Sequence, residues 1–237
     1  MITDFLVPGE LGRAFRGVND LKYLQNWGPQ WGFLPSMLAI VFLQDHEIHH
    51  GVGLGGDDSI SWREPKVYKM ANAFMFAHPF GVPRVLSTYK FYDDKEGPPE
   101  QGRNGIASPG DGIGECLNGW NCEHRWRAVA NMAKLRNEAD GTLLNNWWSQ
   151  NKKHIAFSRG EKAFVVWNGH TSIDLNSNIQ TCLPPGTYCD IISGDFNSKG
   201  KCTGNTIKID DNGIGHFSIS ADSNDGVVAI HVGATLE

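Results

Sequence analysis

The sequence predicts an α/β region followed by an all-β region that folds as an antiparallel sandwich. In the first part of the chain, short apolar runs alternate with segments whose apolar residues recur at helical spacing. After about Asn145, short apolar runs are separated by turns rich in Gly, Asn and Asp, which is typical of antiparallel sheets. We therefore expect one domain over residues 1–145 and a second over residues 146–237.

Two strands and two helices are predicted in the α/β region. The apolar runs 39–43 and 84–87 predict short buried strands. Between them, Pro65–Ala77 predicts a helix, because proline suits the first helical position and the apolar residues share one face. Residues 123–136 predict a second helix, since apolar residues recur every third position and basic residues end it.

The all-β region contains several short apolar runs bounded by turn residues. An arrangement of this kind favours a two-sheet antiparallel domain. The predicted strands are residues 154–157, 163–167, 188–192, 206–209, 216–219 and 227–230.

Composition excludes several classes of partner. The formal net charge is −5 and the isoelectric point is about 6.0, which argues against nucleic acid as a partner. The longest apolar runs, such as residues 38–43, are far shorter than the roughly 18–20 residues that cross a bilayer, so no membrane partner is expected. Neutral ligands are favoured, and the 8 tryptophans offer flat faces for sugar rings, although most should fill the core.

The five cysteines are Cys116, Cys122, Cys182, Cys189 and Cys202, and their spacing favours disulfides over a zinc module. We expect Cys116 to pair with Cys122 around a short loop and Cys189 with Cys202 across a hairpin, leaving Cys182 buried and unreactive or paired between chains. Five reduced core cysteines are the alternative. Disulfides indicate an extracellular protein, yet no signal peptide is visible, which suggests that the start of the protein is missing.

The stretch from Asp45 to His50 carries the densest set of reactive side chains. It contains the pattern H-E-x-x-H, in which His46 and His50 would bind zinc and Glu47 would act as the base of a peptidase. That requires a helix, whereas a strand-like run precedes the pattern and a glycine-rich segment, residues 51–56, follows it. We favour a polar cluster at the carboxyl end of a parallel strand, with an ordinary solvated loop as the alternative.

Several longer motifs resemble animal α-amylases of glycoside hydrolase family 13. The resemblance covers essentially the whole chain, and many of its motifs are six or more residues long. Its motifs are residues 27–36, 41–47, 68–71, 75–81, 122–127, 183–190, 192–195 and 216–220.

The resemblance implies a (β/α)₈ barrel followed by a Greek-key β domain, and hydrolysis of internal α-1,4 bonds of starch and glycogen with retention. It covers only the last three strand-helix units, with strands at 2–5, 39–43 and 83–87, so we expect an incomplete barrel. We therefore expect a truncated α-amylase family protein with impaired catalysis, whose partners are an α-glucan and a missing amino-terminal part of the same product. A non-catalytic carbohydrate-binding or antigenic remnant is the alternative.

The resemblance also assigns roles to individual residues. The family's nucleophile and general acid stand on strands that the resemblance does not include. His46 matches a substrate-binding histidine, and Glu47 stands at the third catalytic carboxylate, where the family has a shorter Asp. The extra C–C bond of Glu47 adds about 1.5 Å, and an error of about 1 Å can cost on the order of a hundredfold in rate.

The resemblance predicts no cofactor for this chain, although the family uses calcium and chloride. Its calcium ligands lie outside the segment that this chain resembles. Arg84 matches a chloride-binding arginine, but Asp45 replaces the asparagine of that site. Since a carboxylate repels an anion, we expect a degenerate chloride site in which Arg84 pairs with Asp45. Val52 replaces a histidine that touches substrate in the family.

Overall fold

A parallel sheet opens the structure, a computed structural model that describes residues 1–52, 56–93, 95–103, 105–111 and 116–236. Residues 53–55 of the predicted glycine-rich segment lie outside the described residues. The sheet has the order β1-β2-β3, with Ile2–Thr3 (β1), Ala39–Val41 (β2) and Val82–Pro83 (β3). All three strands are shorter than the predicted runs 2–5, 39–43 and 83–87. Strand β1 ends where the buried carboxylate of Asp4 accepts the amides of Leu6 and Leu34, which turns the chain out of the sheet.

Three α-helices follow, and α2 packs against both of the others: Val7–Phe15 (α1), Pro65–Ala77 (α2) and Arg127–Glu138 (α3). Helix α2 has the predicted bounds, and α1 is not predicted. The prediction for α3 was wrong at its start, because Glu123–Arg125 form a 3₁₀ turn and the extended backbone of Trp126 separates that turn from the helix. In the described parts of the chain, no helix is both long and apolar enough to span a bilayer.

Strands β4 (Glu100–Gln101) and β5 (Gly105–Ile106) form a small hairpin before α3. The antiparallel region that follows contains two sheets, with the orders β13-β8-β7-β6 and β14-β10-β11-β12-β9. In the five-stranded sheet, β9 lies beside β12. The resulting order β9-β12-β11-β10 is the strand order of a Greek key. The nine strands are Leu144–Gln150 (β6), His154–Arg159 (β7), Ala163–Asn168 (β8), Leu175–Gln180 (β9), Gly186–Cys189 (β10), Thr206–Ile209 (β11), Ile214–Ile219 (β12), Val227–His231 (β13) and Thr235–Leu236 (β14).

The two sheets enclose an apolar core, as the predicted β-sandwich requires. Phe164 from one sheet packs against Phe217 from the other, with their ring centroids 5.2 Å apart. The opposite face of the four-stranded sheet is also buried, because Phe157 and Trp167 pack against Phe74 of α2. One continuous core therefore joins the helices to the sandwich.

Two arginine side chains, one buried and one half-buried, hold the ends of the helices in place. Arg159 of β7 donates to the carbonyls of Ala77, Ala139 and Thr142 at 2.6, 3.2 and 2.9 Å. Arg136 of α3 donates to the carbonyl of His78 at 2.7 Å, just beyond α2. Carbonyls at helix ends lack partners within the helix, so these guanidinium groups supply the missing donors.

The predicted disulfides Cys116–Cys122 and Cys189–Cys202 are confirmed, with Cα–Cα separations of 6.0 and 5.4 Å. Cys182 is a free thiol, as predicted, but it is half-buried and not fully buried. Its Sγ lies 3.7 Å from the Nδ2 of Asn145, at a residue whose backbone is left-handed (φ 59°) just after β9.

Candidate functional site

The carboxyl ends of the three parallel strands meet at one edge of the sheet. Ile2 pairs with Ala39 and Ile40 pairs with Val82, so the strands are nearly in step. The amide of Arg84 donates to Val41 at 2.8 Å, which extends the pairing of β3 just past its end. In parallel sheets, loops at this edge are where reacting and binding groups collect.

A cavity of about 320 Å³ lies at this edge. All three strand ends contribute to its wall, so the chain brings together segments that are far apart in sequence. The lining residues are Thr3, Phe5, Phe42, Gln44, Asp45, His46, Arg84, Val85, Leu86 and Ser87. Of the predicted site residues, Asp45, His46 and Arg84 therefore share one cavity.

Asp45 is held in a fixed orientation by the turn that follows it. Its Oδ1 accepts the amides of Glu47 at 3.0 Å and Ile48 at 2.8 Å, and these bonds start the 3₁₀ helix Ile48–His50. Asp side chains commonly organise turns in this way. Among the described residues that line the cavity, Asp45 is the only carboxylate.

His46 and Glu47 differ in their position relative to this cavity. Both are exposed, but only His46 is part of the cavity wall. The amide of Glu47 is bonded to Asp45, and its side chain belongs to the turn outside the wall. The catalytic role assigned to Glu47 therefore remains a prediction.

Arg84 and Asp45 do not form the expected ion pair. None of the ion pairs within 4.0 Å in the described part of the chain includes either residue. The physical reason is that the Asp45 carboxylate accepts the backbone amides of the turn that follows it, while Arg84 is exposed on the neighbouring segment. The cavity thus contains one guanidinium and one carboxylate that are separate from each other.

The H-E-x-x-H stretch does not form the α-helix that a zinc peptidase requires. Only Ile48–His50 are helical, and they form a single 3₁₀ turn. Within the described residues, no group of three or more His, Cys, Asp or Glu side chains is placed to hold a metal ion. The two histidines after Ile48 instead take part in a cluster of aromatic rings.

This cluster joins the loop after β2 to the loop after β3. The Nε2 of His50 lies 3.0 Å from the hydroxyl of Tyr89. His49 is 2% exposed and packs edge-on against Tyr89 and Phe91, with neither ring nitrogen partnered in the described structure. Burial, together with the charges of His50 and Arg63, lowers the pKa of His49 to about 4. His49 is therefore neutral at pH 7, and its role here is packing.

Sequence reasoning missed Gln44 as a site residue. Its side chain is 3% exposed and forms part of the cavity wall. A signal was available, because Gln44 lies beside Asp45 at the carboxyl end of a predicted parallel strand, the position at which functional groups are expected.

Comparison with known proteins shows that the chain is similar to α-amylases and α-amylase-related proteins. Residues 147–233 match a family model described as the α-amylase C-terminal all-β domain. An α-amylase of Tenebrio molitor is 46% identical over 237 residues, which is 99% of this chain and 49% of the relative. An α-amylase-related protein of Drosophila willistoni is 44% identical over 236 residues, or 99% of this chain and 47% of the relative.

Solved structures give the same result. The crystal structure of wild-type α-amylase I from Eisenia fetida superposes with a TM-score of 0.87 and 34% identity, covering 97% of this chain and 49% of that one. An E249Q variant of the same enzyme, solved with maltohexaose, superposes with a TM-score of 0.86. The chain thus spans about half the length of the relatives it matches.

Proposed function

The chain is an α-amylase family protein that corresponds to the carboxyl-terminal portion of the animal enzymes, and from this premise we propose that it binds α-1,4-glucan chains at the cavity beyond β1, β2 and β3. The observation that carries the proposal is the convergence of Asp45, His46 and Arg84 on one cavity at the carboxyl edge of a parallel sheet. The maltohexaose bound by the similar Eisenia fetida enzyme supports an oligosaccharide as the ligand.

The properties of the cavity suit a neutral, hydroxyl-rich ligand. Its described lining residues include one carboxylate, that of Asp45, and one guanidinium, that of Arg84. The aromatic rings of Phe5 and Phe42 form an apolar part of the cavity wall, and such a surface suits the C–H faces of a sugar ring. A volume of about 320 Å³ is at the lower end of the range for small-molecule sites.

We propose further that the 237-residue chain does not cleave glucan by itself. Retaining hydrolysis needs a nucleophile and an acid about 5–5.5 Å apart. Among the described lining residues only Asp45 is a carboxylate, and one of its oxygens already accepts two amides. A binding protein without turnover is therefore the function that these residues support best.

In this proposal, residues 1–145 with their three parallel strands are the carboxyl-terminal part of a (β/α)₈ barrel, and residues 146–237 are the β domain. Additional strand-helix units of an α-amylase would pair with the sheet and cover its exposed apolar side chains. Ile2, Leu38 and Val82 are 56%, 43% and 48% exposed, and the relatives are twice as long. Mixing the chain with the remaining half of the Tenebrio molitor enzyme should give a complex by light scattering, and two unassociated species would contradict this.

We also propose that the protein is extracellular. The two disulfides support it, because such bonds persist in oxidising compartments. Expression in a secreting host should yield one reactive thiol per chain, that of Cys182, whereas five reactive thiols in material from the native source would contradict the proposed location.

Calorimetric titration with maltohexaose tests the proposed ligand. His46→Ala removes a side chain from the cavity wall and should weaken binding at least tenfold. His216→Ala is the matched control, because His216 is an exposed residue of β12 in the sandwich, where its Nδ1 is 2.9 Å from the Oδ1 of Asn178. Absence of binding by the unmodified chain, or equal effects of the two substitutions, would contradict the proposal.

A further inference from the structure

Gln44 carries a buried carboxamide with no partner. The residue is 3% exposed, and neither its Nε2 nor its Oε1 forms a hydrogen bond within the described residues. The side chain is nevertheless part of the wall of the cavity beyond the parallel strands. Most buried polar side chains are hydrogen-bonded, so an orphaned amide at a cavity wall calls for an explanation.

Neighbouring groups do not supply the missing partners. Asp45 uses its Oδ1 for the amides of Glu47 and Ile48. The hydroxyl of Ser87, on the same wall, is bonded to Nδ1 of His124. The described protein therefore leaves both halves of the Gln44 carboxamide, an acceptor and a donor, without a partner.

The chemistry of the amide defines the ligand that would complete it. A Gln side chain presents an acceptor oxygen beside a donor nitrogen. Two neighbouring sugar hydroxyls match this pair, because one can donate to Oε1 while the other accepts from Nε2. An inorganic anion can satisfy only the donor, so it would leave the oxygen unpaired. The terminal torsion of a glutamine side chain is broad, so the plane of the carboxamide can turn at low cost to align with a ligand.

We propose that Gln44 is a specificity-determining residue that binds two adjacent hydroxyls of a glucan chain in this cavity. The inference rests on the proposed function, because it assigns a role within the same glucan site. It differs from the assignments of His46 and Glu47, which came from resemblance. Gln44 is assigned from its burial, its lack of partners and its position at the cavity wall.

The inference predicts opposite effects on stability and on binding. Gln44→Met keeps the approximate length of the side chain and removes both polar atoms. Removing an orphaned polar group should leave the melting temperature unchanged or raise it, because its desolvation cost disappears. Loss of two hydrogen bonds to the sugar should weaken maltohexaose binding by about tenfold or more.

The experiment measures thermal unfolding and maltohexaose affinity for the 237-residue chain, Gln44→Met and Gln30→Met. Gln30 is an exposed glutamine bonded to Asn26 and outside the cavity wall, so Gln30→Met should leave the affinity unchanged. We expect Gln44→Met to lose affinity about tenfold or more without losing stability.

Two results would overturn the inference. If Gln44→Met binds maltohexaose as tightly as the unmodified chain, or unfolds at a clearly lower temperature, the amide has no role in binding or is already satisfied within the fold. The proposed glucan site would survive either result. If the unmodified chain does not bind maltohexaose at all, the proposed function and this inference both fail.

Discussion

Replacing Arg159 with methionine should lower the free energy of unfolding by about 4 kcal/mol. Arg159 lies on β7 and is 4% exposed, between the sandwich and the ends of two helices. Its guanidinium donates to the carbonyls of Ala77, Ala139 and Thr142. One side chain therefore connects α2, the end of α3 and the loop that leads into β6.

The magnitude follows from these contacts. A hydrogen bond to a charged group contributes about 1.5–3 kcal/mol, so three of them give about 4.5–9 kcal/mol. Burial opposes this gain, and it also lowers the pKa of Arg159 to about 10, although the group stays charged at pH 7. The Nε of Arg159 is buried without a partner in the described structure, so the contribution should fall at the lower end of this range, about 4 kcal/mol.

Urea unfolding followed by tryptophan fluorescence measures this difference. Arg13→Met is the matched control, because Arg13 forms an ion pair of 3.4 Å with Asp58 in which both side chains are 43% exposed. Exposed pairs contribute at most about 1 kcal/mol. Arg159→Lys keeps the charge and should restore part of the loss. A loss below about 1 kcal/mol for Arg159→Met would refute this reasoning.

Two further predictions concern acid and reduction. Burial holds the pKa of His49 near 4, below its usual 6.5, so its contribution to stability is complete above pH 6.5 and is lost as the pH falls toward 4. His49→Phe should therefore reduce the drop in melting temperature between pH 7.5 and pH 5, and an unchanged drop would contradict this. The double substitution of Cys189 and Cys202 by serine opens a link between residues 13 apart and should cost about 3 kcal/mol in urea unfolding. Cys182→Ser is the control, and an equal loss there would argue against the stabilising role of the disulfide.

Local sequence patterns correctly predicted those elements whose preference for helix or strand agrees with their packing in the fold. Helix α2 has a proline at its start and one continuous apolar face, so its bounds were predicted correctly. Helix α1 contains two glycines, which disfavour helices by roughly 1 kcal/mol each. Gly12 is required by a distant contact, because a side chain there would collide with the backbone oxygen of Asp58. Local sequence patterns do not predict a contact between residues so far apart in the sequence.

Strands β6 and β9 are the longest of the strands that were missed, and the reasons are related. Strand β6 is irregular, with a shift in pairing between Asn145 and Trp148 that interrupts the alternation. Strand β9 alternates, but it is rich in asparagine, which is disfavoured in strands. Pairing with β12 along the whole strand compensates for this, and the sequence of β9 alone does not reveal it.

The candidate site was predictable in outline only. Resemblance pointed to Asp45, His46 and Arg84, and the structure brings all three to one cavity. The expected pairing of Asp45 with Arg84 failed because the adjacent amides bind Asp45 instead. The position of Gln44 at the carboxyl end of a predicted strand was an available signal, but its lack of hydrogen-bond partners is evident only in the folded molecule.

The central claim is that these residues bind an α-glucan without cleaving it. The most direct test incubates the purified 237-residue chain with maltohexaose and measures, in the same sample, bound sugar and newly formed reducing ends. The account predicts saturable binding with no new reducing ends. Steady production of reducing ends that disappears in Glu47→Ala would contradict it.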